Sequence, residues 1–334
     1  MGIHGLDELD LRLVHALQLD GRAPLKCIAE VLGVSDRTVA RRYQRLRGSG
    51  TMRVLGLPDA ARFGHIEWLV RVRCTPDTAS GVAVALARRD DTSWVSLTAG
   101  GTEIVCLARA PHRQDGASLL LQKLPRTPRV VDISAHYILR TFFGGPTGWH
   151  GKTVALTDEQ VELLRPRLPE PPSRGTHVPM REGDGELFAV LASDGRAGYT
   201  ELSRATGWSE STVRRRLERL RDMRALFFDV EIDEAILGYE AEIMLWLTVP
   251  PAEMVSVAEE MSHHPEVVFI AATSGQSNLV AFAVYRDIDA FYDYMSTRIG
   301  ALKTVTHVET APVLQSVKRA GRLAPTRHPM FPSR

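Results

Sequence analysis

The sequence predicts an α+β protein in which one unit occurs twice, each unit having a helix-turn-helix head and a βαββαβ body. Three observations support this prediction. The arginine-rich segment VSDRTVARRYQRLR at 34–47 is repeated as WSESTVRRRLERLR at 208–221. Apolar residues at helical spacing precede each copy, and runs of alternating apolar and polar residues follow it.

Length and composition are those of a soluble globular protein with more than one domain. The chain has 334 residues, of which 44% are hydrophobic and 24% are charged, and its net charge is only +1. These values argue against global disorder, and any affinity for a polyanion must come from local clusters of charge. The N-terminus lacks a signal-peptide pattern, and no apolar run approaches the ~18 residues of a membrane span. We therefore expect a cytoplasmic protein with no membrane partner.

The repeat keeps one register over 28 residues. A shift of 174 positions carries Asp20-Gly21-Arg22 onto Asp194-Gly195-Arg196, and a shift of 175 carries Gly100 onto Gly275. The chain therefore consists of two similar halves. The predicted domains are a first head at 1–58, a first body at 66–140, a linker at 141–183, a second head at 184–236, a second body at 239–320 and a tail at 321–334.

The segment between the halves is rich in glycine and proline, which predicts a solvated linker. Within it, Thr157 followed by Gln160 has the spacing of a capping box. A short helix near 158–166 is therefore expected.

In the first head, apolar residues at helical spacing end at the Asp20-Gly21-Arg22 turn, and a second short helix is expected from Leu25 to Leu32. Gly33 can adopt the left-handed conformation that ends this helix. Ser35 is then placed as the N-cap of a third helix. Gly207 and Ser209 repeat these features in the second half. A helix, a tight glycine turn and a second helix make a helix-turn-helix.

The third helix of each head has one apolar and one arginine-rich face. Val39, Tyr43 and Leu46 form the predicted buried stripe, so the arginines point outward. Residues 34–53 carry a net charge of +5 and residues 208–224 a net charge of +3. Such outward clusters predict binding to double-stranded DNA through the major groove. The candidate DNA-binding residues are Ser35, Arg37, Thr38, Arg41, Arg42, Gln44, Arg45, Arg47, Ser209, Ser211, Thr212, Arg214, Arg215, Arg216 and Arg219.

The bodies follow a strand-rich pattern. EWLVRVRC at 67–74 alternates between apolar and polar residues, as a half-buried strand does. Later strands are expected near 93–99, 102–110 and 129–139, with helices near 78–88 and 113–123; the second half repeats the order with strands near 241–249, 267–273, 278–285 and 305–315 and helices near 251–262 and 287–300. The order βαββαβ is the ferredoxin-like motif.

Residues 6–53 resemble the N-terminal signature of the Lrp/AsnC, or feast/famine, transcriptional regulators. That resemblance implies two winged helix-turn-helix domains, each followed by a ferredoxin-like βαββαβ domain of the RAM type that senses small molecules. It further implies a covalently joined pseudo-dimer, since the usual family member has one such unit and assembles as dimers. We accordingly expect a homo-oligomer of pseudo-dimeric chains.

The resemblance also implies a site for an amino acid or related effector near the glycine turn between the two central strands. Family members usually have Gly-x-x-Asp there, whereas this chain has Gly-Gly-Thr-Glu at 100–103 and Gly-Gln-Ser-Asn at 275–278. The candidate effector-binding residues are Gly100, Gly101, Glu103, Gly275, Ser277, Asn278 and Thr310. If only one body binds an effector, the second is the expected one.

Two other functions fit the same architecture. Siroheme decarboxylases resemble it, and an enzyme of that kind would gather histidines such as His112, His136, His263, His264 and His307 around a tetrapyrrole. A scaffold that has lost DNA binding is the other alternative. No common hydrolase, dehydrogenase or nucleotide-binding motif occurs, so we expect no enzyme activity and no cofactor. The single cysteines Cys27, Cys74 and Cys106 predict buried thiols and no metal site.

Overall fold

The computed structural model describes residues 6–110, 129–145, 154–173, 175–232, 234–319 and 322–323. The helices are α1 (Glu8–Leu19), α2 (Leu25–Leu32), α3 (Asp36–Gly48), α4 (Ala79–Ala87), α5 (Asp158–Leu164), α6 (Asp184–Ser193), α7 (Tyr199–Thr206), α8 (Glu210–Asp222), α9 (Met254–Ser262) and α10 (Ile288–Asp293), the last continuing as a π-helix over Tyr294–Ile299. The strands are β1 (Met52–Pro58), β2 (Ile66–Cys74), β3 (Thr92–Thr98), β4 (Glu103–Ala110), β5 (Val130–Phe143), β6 (Leu226–Ile232), β7 (Ala241–Thr248), β8 (Val267–Thr273), β9 (Leu279–Tyr285), β10 (His307–Arg319) and β11 (Arg322–Leu323).

Each head is a three-helix unit with the predicted turn. Gly33 ends α2 with φ of 69° and Gly207 ends α7 with φ of 73°, which is the left-handed conformation that glycine adopts without strain. The two expected helix-turn-helix elements are therefore confirmed.

The strand that follows each head pairs with its counterpart from the other half. β1 and β6 form an antiparallel two-stranded ribbon, with Met52 opposite Ile232 and Pro58 opposite Leu226. Val230 and Ile232 of β6 are also part of the hydrophobic core of the first head. Because one strand alone leaves its backbone groups unpaired, each half completes the other.

The bodies join into a closed ring of eight strands within one chain. The strand order is β10-β3-β4-β2-β5-β8-β9-β7, and β7 pairs with β10 to close the ring. β5 contacts strands of both halves, as does β10. The sheets of the two bodies thus pair within the chain. The helix expected near 113–123 lies outside the described residues.

Alternation along the strands separates an inner core from two outer cores. Val70 and Val72 face α4, whereas Leu69, the residue before Val70, belongs to the inner cluster. In the second body, Leu245 belongs to the outer core that includes α9, and Trp246 belongs to the inner cluster. The period-2 patterns read from the sequence are confirmed here.

The segment between the halves is packed against the heads, so the expectation of a solvated spacer was wrong for its described part. Leu156 and Leu164 belong to the core of the first head, and Val178 belongs to the core of the second. Thr157 and Gln160 form the expected capping box of α5. Leu156, Leu164 and Val178 gain by burial, which outweighs the flexibility that the glycines and prolines of the segment suggested.

Candidate nucleic-acid interface and effector region

The helices α3 and α8 present the expected faces. Ser35 accepts a hydrogen bond from the Thr38 backbone at 3.2 Å, and Ser209 accepts the equivalent bond from Thr212 at 3.2 Å. The apolar stripe of each helix is buried against its own head. The predicted DNA-binding side chains that are exposed are Ser35, Arg37, Arg41, Gln44, Arg45, Arg47, Ser209, Ser211, Arg214, Arg215 and Arg219; those of Thr38 and Thr212 are half-buried.

Arg216 does not belong to this exposed set. Its side chain is 2% exposed, and its guanidinium bonds the fully buried carboxylate of Asp184 on α6. It also donates to the Pro179 carbonyl at 3.0 Å. The inclusion of Arg216 among the candidate DNA-binding residues was therefore wrong, because its charge is used inside the second head.

Arg42 holds the equivalent place in the first head. Its side chain is 22% exposed, and it bonds Asp7 at 2.6 Å and Asp10 at 2.9 Å. Arg42 therefore fastens α3 to α1 rather than facing a phosphate. The repeated sequence indicates both of these ion pairs, since Asp10 with Arg42 recurs as Asp184 with Arg216 at the shift of 174.

A set of reciprocal contacts, here called the clasp, fastens the two heads to each other. Arg22 donates to the Gly195 carbonyl at 2.8 Å, and Arg196 donates to the Gly21 carbonyl at 2.6 Å. Both arginines donate a second bond, from Arg22 to Ala197 and from Arg196 to Ala23. The sequence showed these residues only as a repeated turn.

The C-terminal ends of α3 and α8 take part in the same clasp. Arg47 of α3 bonds Asp194 at 2.7 Å, and Arg221 of α8 bonds Asp20 at 3.0 Å. Each helix that carries the arginine face is thereby tied to the opposite head. The spacing and the angle between the two faces are set by contacts within one chain.

In the first body, the glutamate at the candidate effector position is already neutralised. Gly100 and Gly101 form the expected turn with positive φ, and Glu103 follows it in a buried position. Arg71 bonds Glu103 at 2.9 Å and Glu309 of β10 at 2.6 Å. Because a guanidinium occupies this carboxylate, Glu103 is not available to hold an ammonium group.

Arg71 also lies over the Trp246 ring, 4.0 Å from its centroid, in the inner cluster between the halves. Hydrogen bonding from Arg71 lowers the pKa of Glu309, although burial opposes the shift. Burial would lower the pKa of Arg71, but its hydrogen bonds to Glu309 and Glu103 raise it. This ion-pair cluster joins the two bodies.

The candidate residues of the second body are also engaged. The Asn278 amide is bonded at both ends to Val249, accepting at 3.0 Å and donating at 2.8 Å. Gly275 has φ of 111°, and a Cβ there would lie 2.4 Å from Nδ1 of His136. The Ser277 carbonyl accepts from Thr273 at 2.9 Å.

The seven candidate effector residues lie at two turns and on one strand. Gly100, Gly101 and Glu103 lie at the β3–β4 turn, whereas Gly275, Ser277 and Asn278 lie at the β8–β9 turn. Thr310 is exposed on β10, opposite Leu245 of β7.

The described histidines of the enzyme alternative lie at three places along the chain. His136 lies on β5, where burial, and then the charge of Arg71, lowers its pKa. His264 bonds the Tyr294 hydroxyl at 3.0 Å, and its neighbour His263 contacts the Glu259 carbonyl. His307 begins β10, and His112 lies outside the described residues. Within the described ranges, no group of three or more His, Cys, Asp or Glu side chains could hold a metal ion.

Cys74 and Cys106 are buried, but Cys27 is exposed, so the expectation of three buried thiols was wrong for Cys27.

Comparison with known proteins now identifies the family. A family model of the AsnC-type helix-turn-helix domain matches residues 6–47 and again residues 182–221. The model of the Lrp/AsnC ligand binding domain matches residues 242–323. An uncharacterized HTH-type transcriptional regulator of Pyrococcus abyssi is 30% identical over 145 residues, which are 43% of this chain and 91% of that protein. The chain belongs to the Lrp/AsnC family.

Other similar proteins cover either less than half of this Lrp/AsnC chain or nearly all of it. HTH-type transcriptional regulator FL11 of Pyrococcus horikoshii is 28% identical over 147 residues, which are 44% of this chain and 97% of FL11. The crystal structure of the siroheme decarboxylase NirDL covers 93% of this chain and 93% of its own, with a TM-score of 0.63 and 12% identity. This last likeness shows that both chains have the same duplicated fold. The described residues of the Lrp/AsnC chain include no helix with both the length and the apolarity needed to cross a membrane.

Proposed function

We propose that this Lrp/AsnC chain is a sequence-specific DNA-binding regulator of transcription that reads two half-sites with one polypeptide. The observation that supports this most is the pair of exposed arginine faces on α3 and α8, which the clasp holds in a fixed relation. Exposed guanidinium groups on the second helix of a helix-turn-helix are suited to guanine edges and phosphates in the major groove.

The two half-sites are expected to differ in sequence. Arg37 of α3 corresponds to Ser211 of α8, and Gln44 corresponds to the acidic Glu218. All four side chains are exposed. The first head therefore dominates binding, and the preferred duplex is not a perfect palindrome.

Binding-site selection with the purified chain, followed by mobility shifts, tests the proposal. Arg41→Ala should reduce the preference for the selected duplex over a scrambled one by about tenfold or more, since one arginine–guanine contact contributes ~1–3 kcal/mol. The control is Arg298→Ala, which removes an exposed arginine of the second body. A perfectly symmetric selected motif would contradict the reading by unequal heads, and equal affinity for all duplexes would contradict sequence specificity.

An effector is the second part of the proposal, supported by the match of residues 242–323 to the Lrp/AsnC ligand binding domain. In other family members an aspartate at this position would hold the amino acid. Here Glu103 and Asn278 are bonded within the protein, which disfavours binding of a free amino acid in that way. Titrating amino acids into the protein–DNA complex decides this: an unchanged shift with all of them excludes an amino-acid effector under those conditions.

The enzyme alternative has the fold of NirDL in its favour, but the described residues contain no group of three or more His, Cys, Asp or Glu side chains that could hold a metal ion. We propose that the chain is not an enzyme. Adding siroheme to the protein and recording the Soret band tests this, because a bound tetrapyrrole would shift the band and loss of its carboxylates would be seen by mass spectrometry.

Assembly and location are also part of the proposal. In the ring of eight strands each strand already has two neighbours, so further chains would associate through helical or head surfaces. We expect a homo-oligomer of pseudo-dimers that acts on cytoplasmic DNA. Sedimentation velocity at micromolar concentration would contradict the oligomer if it returned only the 37.0 kDa chain.

A further inference from the structure

A cavity of about 630 Å³ lies where both heads and the linker meet. One wall is the end of α1 with Asp20, and another is the segment after β1 with Asp59 and Arg62. The linker contributes Arg165 and the prolines that follow it. The remaining wall runs from Arg221 at the end of α8 to the start of β6.

The lining has more positive than negative charge. Four arginines, at 62, 165, 221 and 224, face two aspartates, at 20 and 59. The Arg221–Asp20 ion pair at 3.0 Å accounts for one arginine and one aspartate. Burial raises the pKa of Asp59, while the hydrogen bond from the Ala61 backbone and the charge of Arg62 oppose the shift.

Two of the other cavity arginines, Arg62 and Arg224, are held by uncharged backbone carbonyls. Arg62 donates to the Ser173 and Pro172 carbonyls at 3.0 and 3.1 Å, and Arg224 donates to the Pro169 carbonyl at 3.0 Å. Burial lowers the pKa of Arg224, Asp222 opposes this, and the charges of Arg221 and Arg62 lower it further. The guanidinium groups repel one another, and an anion between them would relieve that repulsion.

Apolar side chains cover the rest of the cavity surface. Leu19 comes from the first head, Leu168 comes from the linker, and the ribbon contributes Leu226, Phe227 and Phe228. A volume in the range of ~300–1,000 Å³ with an apolar wall and a few convergent charges is typical of small-molecule sites.

The linker makes this cavity specific to one side of the pseudo-dimer. The equivalent place on the other side is lined by Arg47 and Asp194, the counterparts of Arg221 and Asp20, and it encloses only about 150 Å³. No residue of the linker lines that smaller cavity. The larger site therefore depends on the fusion of the two units.

We propose that this cavity binds a small organic anion, a carboxylate or phosphate ester attached to an apolar body. Planar guanidinium groups bind both oxyanions through paired hydrogen bonds, and the phenylalanines and leucines cover the apolar part. The site lies outside the βαββαβ bodies and requires no DNA.

Calorimetric titration of the DNA-free full chain tests the site with four probes: phenyl phosphate, benzoate, inorganic phosphate and benzyl alcohol. Phenyl phosphate or benzoate should bind at one site per chain, and the stronger of the two identifies the oxyanion. Inorganic phosphate and benzyl alcohol should bind at least tenfold more weakly, because each lacks one half of the recognised chemistry. No saturable binding of either aromatic anion, or equal binding of benzyl alcohol, would overturn the proposal.

Arg165→Gln is the variant of choice, since Arg165 is exposed and its side chain has no hydrogen bond or ion pair to the described residues. It should weaken the bound anion about tenfold, the loss of one charged hydrogen bond. Arg167→Gln is the control, because Arg167 is exposed on the same segment but does not line the cavity. Equal affinities of the two variants would refute the assignment. A duplex that displaced the anion one for one would reassign these arginines to DNA, whereas failure of the titration alone leaves the DNA-binding proposal intact.

Discussion

Arg22 of the first head donates a hydrogen bond to the Gly195 carbonyl of the second head at 2.8 Å. Its counterpart Arg196 returns the contact to Gly21, so the two heads hold each other through the same turn. A Cβ on Gly21 would lie 2.7 Å from Phe228, and one on Gly195 would lie 2.7 Å from the Leu55 backbone. The turn therefore needs glycine for close approach and arginine for bonding.

Loss of the clasp should destabilise the heads. Arg22→Met keeps the aliphatic stem but leaves the Gly195 and Ala197 carbonyls without these donors, which is expected to cost about 1–3 kcal/mol in the free energy of unfolding. Urea denaturation measures the change. Arg37→Met, on the exposed face of α3, serves as the control and should be near neutral. Equal midpoints for the two variants would show that the clasp does not stabilise the heads.

Neighbouring arginines of α8 should separate stability from DNA binding. Arg216→Met leaves the buried Asp184 carboxylate unpaired, which is expected to destabilise the protein by about 3–5 kcal/mol. Arg215→Met removes an exposed charge, so it should leave stability unchanged and weaken DNA binding. Chemical denaturation and mobility shifts report the two effects. The reverse pattern would mean that the buried and exposed assignments are wrong.

The Arg71–Glu309 pair should make stability depend on pH. The pKa of Glu309 is lowered in the folded chain, so the pair contributes fully above the unfolded glutamate pKa. That contribution is lost as the pH falls through the lowered pKa of the folded state. Wild-type protein should therefore lose more stability on acidification than Glu309→Gln, which cannot titrate at this position. Parallel unfolding curves for both proteins from neutral to acid pH would contradict the ion pair.

Gly275 should tolerate no side chain. An added Cβ would collide with the His136 ring in a backbone conformation with φ of 111°, so Gly275→Ala should lower stability by more than about 1 kcal/mol. Gly300 has φ of −61°, and its nearest contact for an added Cβ is 3.6 Å away. Gly300→Ala should therefore be neutral or stabilising. A thermal melt of each variant gives the comparison, and equal losses would contradict the His136–Gly275 contact.

Patterns of short range in the chain predicted much of this fold. The glycine turns at Gly33 and Gly207, the serine caps and the period-2 strands depend on a few neighbouring residues, so local sequence is sufficient to identify them. The outward face of α3 followed from helical geometry in the same way. Arg216 was misplaced because helical angle alone does not show which neighbour covers a side chain; Asp184 and Pro179 do so from 32 and 37 residues away.

Duplication, head-then-body order and the two arginine faces could be read directly from the residues, since repeats and periodicities are properties of one dimension. How the halves meet required the folded chain. The ribbon of β1 and β6, the ring closed through β5 and β10, and the clasp all join residues far apart in sequence. Such contacts depend on complementary surfaces in space, which is why a segment rich in glycine and proline could prove to be a packed wall of a cavity.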